Sequence, residues 1–350
     1  MVKPLNIAGR LVGPGQPCLV IAEAGVNHNG RLDLALALVD AAAAAGAEAV
    51  KFQTFRAEEV ASPLAPKAAY QAETTGQGQS QLAMLKALEL APADYGAIRD
   101  RCRARGLIFL STPFDAASAT LLAELDMPAF KVPSGELTNL PLLAHIGAQG
   151  RPVILSTGMA TLGEVGEAVD ALRAAGCAEL ALLHCLSNYP ADPAQVNLRA
   201  MTAMGEAFGL PVGYSDHTLG LEAPLAAVAL GACIIEKHFT LDRDLQGPDH
   251  RASATVDELT ALVAGVRKVE AALGHGRKEP APDEAGTRAV ARRSLVAAKD
   301  IPAGALITAD MLALKRPGTG LAPAWLAQVV GRRAAMAIPA GALLSLEMLA

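Results

Sequence analysis

The chain has 350 residues, a formal net charge of −5, 52% hydrophobic residues, 19% charged residues and only 3% aromatic residues. That is enough chain for one large core and a small second domain, and the abundant alanine suits helices packed closely on a sheet. No basic run of the kind that tracks a phosphate backbone is present, and no stretch of about 18 apolar residues offers a membrane span, which argues against nucleic-acid and membrane partners. The first 17 residues lack the apolar core of a secretory signal. Cys18, Cys102, Cys177, Cys185 and Cys233 are odd in number, widely spaced and without a CxxC pair, so a reduced, cytoplasmic protein is expected.

Eight short apolar runs, each ending in a polar or glycine-bearing tip, are the predicted strands. They cover residues 19–25, 49–55, 107–113, 129–135, 152–158, 180–186, 211–217 and 233–239. Ala-rich amphipathic stretches separate them, the first predicted as a helix over 32–47 and the last over 255–273. Strand then helix, eight times, is the order of a (β/α)8 TIM barrel, an α/β fold whose C-terminal strand ends carry the chemistry. The segment between the second and third runs is about twice as long as the others. Long loops on that face shape or cover a site.

The barrel is predicted to occupy residues 1–274, followed by a polar, Pro-containing linker at 275–289 and a small β-rich domain at 290–350. An internal repeat marks that last domain. IPAGALITADMLA at 301–313 returns as IPAGALLSLEMLA at 338–350, with nine of thirteen positions identical. A half-domain used twice predicts a pseudo-two-fold axis. Trp325 is expected to pack within this module.

Residues two apart share a face of a strand. Ile21, Glu23 and Gly25 form one such set; Lys51 with Gln53, Ser215 with His217, and Glu236 with His238 form others. These polar sets are expected to point into the barrel mouth. His217 and His238 end neighbouring strands, where two imidazoles can reach one divalent cation; the competing reading is a hydrogen-bonded structural pair. Lys51 and Lys131 lie inside apolar runs, where an ammonium needs an anionic partner. With Thr112, Ser134, Ser156, Ser187 and Ser215 at the same level they suit a phosphate or carboxylate ligand; an internal Glu could satisfy them instead. Tyr189 and Asp249 follow strands six and eight, as substrate contacts or as turn formers. Asn27 and His28 read as loop structure and Cys185 as a small core residue.

The stretches EAGVNHNG, AVKFQTF, KAAYQ, FLSTPFD, KVPSGELTNLP, ILSTGMAT, LLHCLSNYP, GYSDHT, EKHFTLDRDLQGPDH and KRPGTG resemble the sialic acid (N-acetylneuraminate) synthase family. These are phosphoenolpyruvate-dependent nonulosonate synthases with a C-terminal antifreeze-like (SAF) domain, to which the repeat is similar. The resemblance implies an N-acetylneuraminate synthase condensing phosphoenolpyruvate with N-acetylmannosamine. The alternative is an N,N'-diacetyllegionaminate synthase using 2,4-diacetamido-2,4,6-trideoxymannose. It implies a divalent metal on His217 and His238, Mn2+ first, with Mg2+ or Co2+ as options. It places phosphoenolpyruvate on Lys51, Thr112, Lys131, Ser134, Ser156, Ser187 and Ser215. Glu23, Gln53, Tyr189 and Asp249 would touch the amino sugar or the reacting centre, with Glu23, Lys51, Lys131 and Asp249 as the catalytic group. Arg316 would come from the partner of a domain-swapped homodimer. Thr74 and Ser187 stand where many or some family members carry Asn, and they bear on the choice of amino sugar. A Kdo-type synthase would need a second phosphate pocket, and no basic cluster remains beyond Lys51, Lys131 and Arg316. A non-catalytic carbohydrate-binding protein would have no need of two buried lysines beside a histidine pair.

Overall fold

The computed structural model describes residues 2–76, 78 and 80–350; Gln77 and Gln79 of the long connection lie outside the described residues. The chain divides into two compact units, residues 1–274 and 275–350.

The first unit opens with a hairpin, β1 (Leu5–Ile7) and β2 (Arg10–Val12). The strands that follow are β3 (Leu19–Gly25), β4 (Ala49–Thr54), β5 (Ile108–Pro113), β6 (Phe130–Val132), β7 (Val153–Ser156), β8 (Leu180–Cys185), β9 (Val212–Asp216) and β10 (Ile234–His238). They form one parallel sheet in the order β5-β4-β3-β10-β9-β8-β7-β6. Its two outer strands, β5 and β6, lie side by side, so the sheet is a nearly closed barrel. The helices after successive strands are α1 (Leu32–Ala44), then α2 (Ala57–Val60), α3 (Ala69–Thr75), α4 (Gln81–Leu88) and α5 (Pro92–Arg105) in the long connection. They continue as α6 (Ala116–Glu124), α7 (Leu140–Gly147), α8 (Leu162–Ala174), α9 (Arg199–Phe208), α10 (Glu222–Ala229) and α11 (Val256–Leu273). The sequence places every barrel strand correctly. β6 is the shortest because Pro133 has no N–H for the ladder and a 3-10 turn, Ser134–Glu136, begins at once. α11 starts where Thr255 caps it, its hydroxyl accepting from Glu258 N while the Glu258 carboxylate accepts from Thr255 N.

Alternation along the strands sorts the side chains into two cores. Val20, Ala22 and Ala24 of β3 belong to the large cluster between sheet and helices. Leu19 and Ile21 join Ala49, Leu110, Ala129, Ile154, Ala181, Leu183 and Ile234 inside the barrel, and Leu5, Ile7 and Val12 of the hairpin close it from below. Two residues further along, on the same face, stand Glu23, Lys51, Thr112, Lys131, Ser156, Cys185 and Glu236. An apolar floor therefore carries a polar storey. Among the described residues no helix is long and apolar enough to cross a membrane, and all five cysteines are buried and unpaired.

The second unit contains α12 (Glu284–Ala291), β11 (Ser294–Ala297), β12 (Leu312–Lys315) and α13 (Leu326–Val329). α12 occupies part of the stretch expected to be linker. The repeat folds as two equivalent halves. Ile301 and Ile338, the same position of each copy, exchange backbone hydrogen bonds at 2.9 Å in both directions. Each copy ends in a 3-10 turn, Ala309–Met311 and Leu346–Met348. Ile301, Ile307, Ile338 and Leu344 fill the small core. Trp325 differs from expectation: it closes a Pro323–Trp325 turn and is 39% exposed.

Candidate active site

A cavity of about 440 Å³ opens at the C-terminal ends of the barrel strands. Every barrel residue given a catalytic, substrate-binding or metal role by the sequence lines it: Glu23, Lys51, Gln53, Thr112, Lys131, Ser134, Ser156, Ser187, Tyr189, Ser215, His217, His238 and Asp249. Thr74 does not, its hydroxyl facing the carbonyls of Tyr70, Gln71 and Pro248 instead. Arg316 lies in the second unit, exposed.

The floor is a buried charge network. Lys51 Nζ stands 2.6 Å from Glu23 Oε2 and donates to Thr112 Oγ1 at 2.7 Å. Glu236 bridges the two lysines, with Oε2 3.8 Å from Lys51 Nζ and Oε1 3.4 Å from Lys131 Nζ. Ser215 Oγ donates to Glu236 Oε1 at 2.8 Å. The sequence assigned Glu236 to the inward face and gave it no role; the fold puts it between both ammoniums. Burial disfavours the charge on Glu23 and raises its pKa despite Lys51. Burial acts the same way on Glu236, but Lys131 and Lys51 together overcome it and hold that carboxylate ionised. Burial also lowers the Lys131 pKa. Lys237, on the opposite face of β10, pairs instead with Asp216 and the Thr218 carbonyl.

Beside this network stand Ser156, whose buried Oγ has no hydrogen-bond partner among the described residues, and Ser134, whose Oγ accepts from Gly158 N at 2.9 Å. Gly158 sits where no side chain fits. A Cβ there would meet Ser187 Oγ at 2.3 Å and Ser134 Oγ at 2.8 Å. Cys185, expected in the core, faces the cavity from the end of β8, within 4.0 Å of His217 Nδ1. The fold adds two residues that were not singled out, Tyr70 and Gln71 of α3. Tyr70 stacks on Tyr189 at 5.1 Å, and Tyr189 packs on His217 at 4.0 Å. Their KAAYQ stretch was visible as a motif, but nothing local shows α3 folding back over the mouth.

His217 and His238 sit on adjacent strands with ring centroids 5.5 Å apart. Among the described residues no group of three or more His, Cys, Asp and Glu side chains is disposed to hold a metal ion. The pair offers two nitrogens. His217 Nδ1 donates to the Leu186 carbonyl at 2.7 Å, which in the neutral ring places the lone pair on Nε2; burial opposes a proton on this ring, but the neighbouring Cys185 raises its pKa overall. His238 Nδ1 is buried and, among the described residues, without a hydrogen-bond partner, 4.0 Å from Asp249 Oδ2. Burial holds His238 well below its usual pKa and raises Asp249 to about 6. A neutral, orphaned imidazole beside a second oriented one fits a divalent ion whose remaining positions fall to water and substrate.

A barrel with this polar storey belongs to the enzymes that work at the C-terminal strand ends. Residues 38–278 match the NeuB family model and residues 292–350 the SAF domain. The chain belongs to the NeuB family, the sialic-acid-type nonulosonate synthases, with a C-terminal SAF domain. It is 46% identical to the N,N'-diacetyllegionaminic acid synthase of Legionella pneumophila, over 93% of this chain and 92% of that one. It is 47% identical to the protein of the same description from Campylobacter jejuni, over 90% and 95%. The crystal structure of the N-acetylneuraminic acid (sialic acid) synthetase of Leptospira borgpetersenii, in complex with citrate, superposes with a TM-score of 0.72 at 35% identity. It covers 82% of this chain and 95% of that one.

Proposed function

We propose that this enzyme condenses phosphoenolpyruvate with 2,4-diacetamido-2,4,6-trideoxymannose and water, giving N,N'-diacetyllegionaminate and phosphate. The observation that carries the choice of acceptor is the identity gradient. Two legionaminic acid synthases stand at 46% and 47%, whereas the N-acetylneuraminic acid synthetase stands at 35%. The N-acetylneuraminate reading placed first by the sequence gives way to its alternative on that ground.

In this reading Lys51 and Lys131 grip phosphoenolpyruvate, with Thr112, Ser134, Ser156 and Ser187 as donors and Ser215 beside them, its proton given to Glu236; the Ser156 hydroxyl, unpartnered among the described residues, supports an anion at that level. Gln53 and Tyr189 face the sugar. His217 and His238 would hold a divalent cation, Mn2+ foremost and Mg2+ or Co2+ otherwise, which when bound supplies Lewis-acid polarisation of the aldehyde. The enol C3 attacks the aldehyde carbon, water adds at C2, and the C2–O bond to phosphate breaks. The lysines and hydroxyls stabilise the charge carried by the ligand throughout. Glu23, whose burial brings its proton affinity toward neutrality, handles the proton of the attacking water, and Asp249, 4.0 Å from His238 Nδ1, would touch the amino sugar or the reacting centre. Arg316 would reach the acceptor from a second subunit of a swapped homodimer. The test is a panel of amino sugars with phosphoenolpyruvate, read by phosphate release and product mass. Turnover of the diacetamido sugar well above N-acetylmannosamine is expected. Consumption of N-acetylmannosamine alone would overturn the assignment.

A further inference from the structure

The cavity has an apolar side that this chemistry leaves unused. Val26, Phe55 and Phe114 follow the polar ends of β3, β4 and β5, just beyond Glu23, Gln53 and Thr112. With Met84, Leu85 and Leu88 of α4 they form an apolar cluster separate from the barrel cores. Phe55 and Phe114 meet edge to face at 6.1 Å. All six side chains also line the cavity, so the cluster packs on one side and faces the ligand on the other. An open six-carbon sugar spans roughly 6 Å from C1 to C6, being five C–C bonds of about 1.5 Å in zigzag. The imidazole pair and this wall line the same cavity, so a sugar held by its aldehyde at the pair can present its far end to the wall.

We propose that this wall selects a 6-deoxy acceptor by holding its terminal methyl group; the inference rests on the acceptor reading above. A hydroxyl placed there would lose water and gain no partner from the wall, whereas a methyl loses nothing. Gln71 and Gln81 line the same cavity and are amides suited to the acetamido groups. Discrimination by a hydrophobic pocket is modest, about 10- to 200-fold in kcat/KM.

The experiment compares 2,4-diacetamido-2,4,6-trideoxymannose with its 6-hydroxy counterpart, which differs by one oxygen. The wild type should favour the deoxy sugar about tenfold or more. Leu85→Asn, or Met84→Gln should the first not fold, should bring the ratio to within about threefold and leave the KM for phosphoenolpyruvate unchanged. Phe114→Leu, which keeps the wall apolar, should retain most of the preference. A wild-type ratio near one, or a ratio unmoved by the polar substitutions, overturns the wall while turnover of both diacetamido sugars leaves the acceptor assignment standing. Turnover of N-acetylmannosamine alone defeats the acceptor assignment itself, and the wall with it.

Discussion

Glu236 accepts from Ser215 and faces both Lys51 and Lys131, so it is the counter-ion that lets two ammoniums share a buried floor. Removing one partner of a buried ion network costs about 3–5 kcal/mol, because the charge left behind is uncompensated. Glu236→Gln should therefore melt at a markedly lower temperature. A bound anion should replace the missing charge, so phosphoenolpyruvate or inorganic phosphate should raise the melting temperature of Glu236→Gln more than that of the wild type. Equal shifts would mean that the lysines do not face the anion. His28 offers a pH test away from this network. Burial pushes its imidazole down to about 4, and its Nε2 has no hydrogen-bond partner among the described residues. The folded state then resists a proton that the unfolded chain takes up near pH 6.5, so stability is full above pH 6.5 and falls as pH drops toward 4. The whole effect is on the order of 3 kcal/mol, at about 1.4 kcal/mol per pH unit. His28→Gln should flatten the dependence of unfolding free energy over that window.

The element that distinguishes this barrel is the excursion between β4 and α5. α4 supplies Met84 and Leu88 to the cluster at the mouth, and α3 supplies Tyr70 to the stack on Tyr189. The β3–α1 loop seats α4 through Gly30. Gly30 takes φ +71, and a Cβ there would lie 2.5 Å from the Ala87 carbonyl oxygen. Gly30→Ala must push the end of α4 away, a strain of about 1–3 kcal/mol. The KM for the amino sugar should rise several-fold while that for phosphoenolpyruvate changes little. Steady-state kinetics with each substrate varied in turn checks this. An equal rise in both would place α4 outside the acceptor site.

For the whole molecule, the second unit reads as a self-contained module, its two repeat copies joined at Ile301 and Ile338. Whether Arg316 serves another subunit's barrel is decided by mixing two inactive variants, Lys51→Ala and Arg316→Ala. In a swapped dimer, random reassortment gives roughly a quarter of the sites both an intact floor and an intact arginine. Activity should return to about that fraction on mixing. No recovery, with mixed dimers shown to form, would remove Arg316 from the partner's site.

The pattern of apolar runs with polar tips was enough to set eight strands, their order in the barrel and the inward face of the first, second, seventh and eighth. Strand parity is a property of the covalent chain, so Glu23, Lys51, His217 and His238 could be sent to one mouth before any coordinates were known. Distances across the barrel are not local. Only the closed sheet revealed that Glu236 sits between Lys51 and Lys131, that Cys185 faces the ligand, and that α3 and α4 fold back over the cavity. Those contacts join strands and loops far apart in the sequence. They exist because the barrel wraps the inward-facing storey around a single axis.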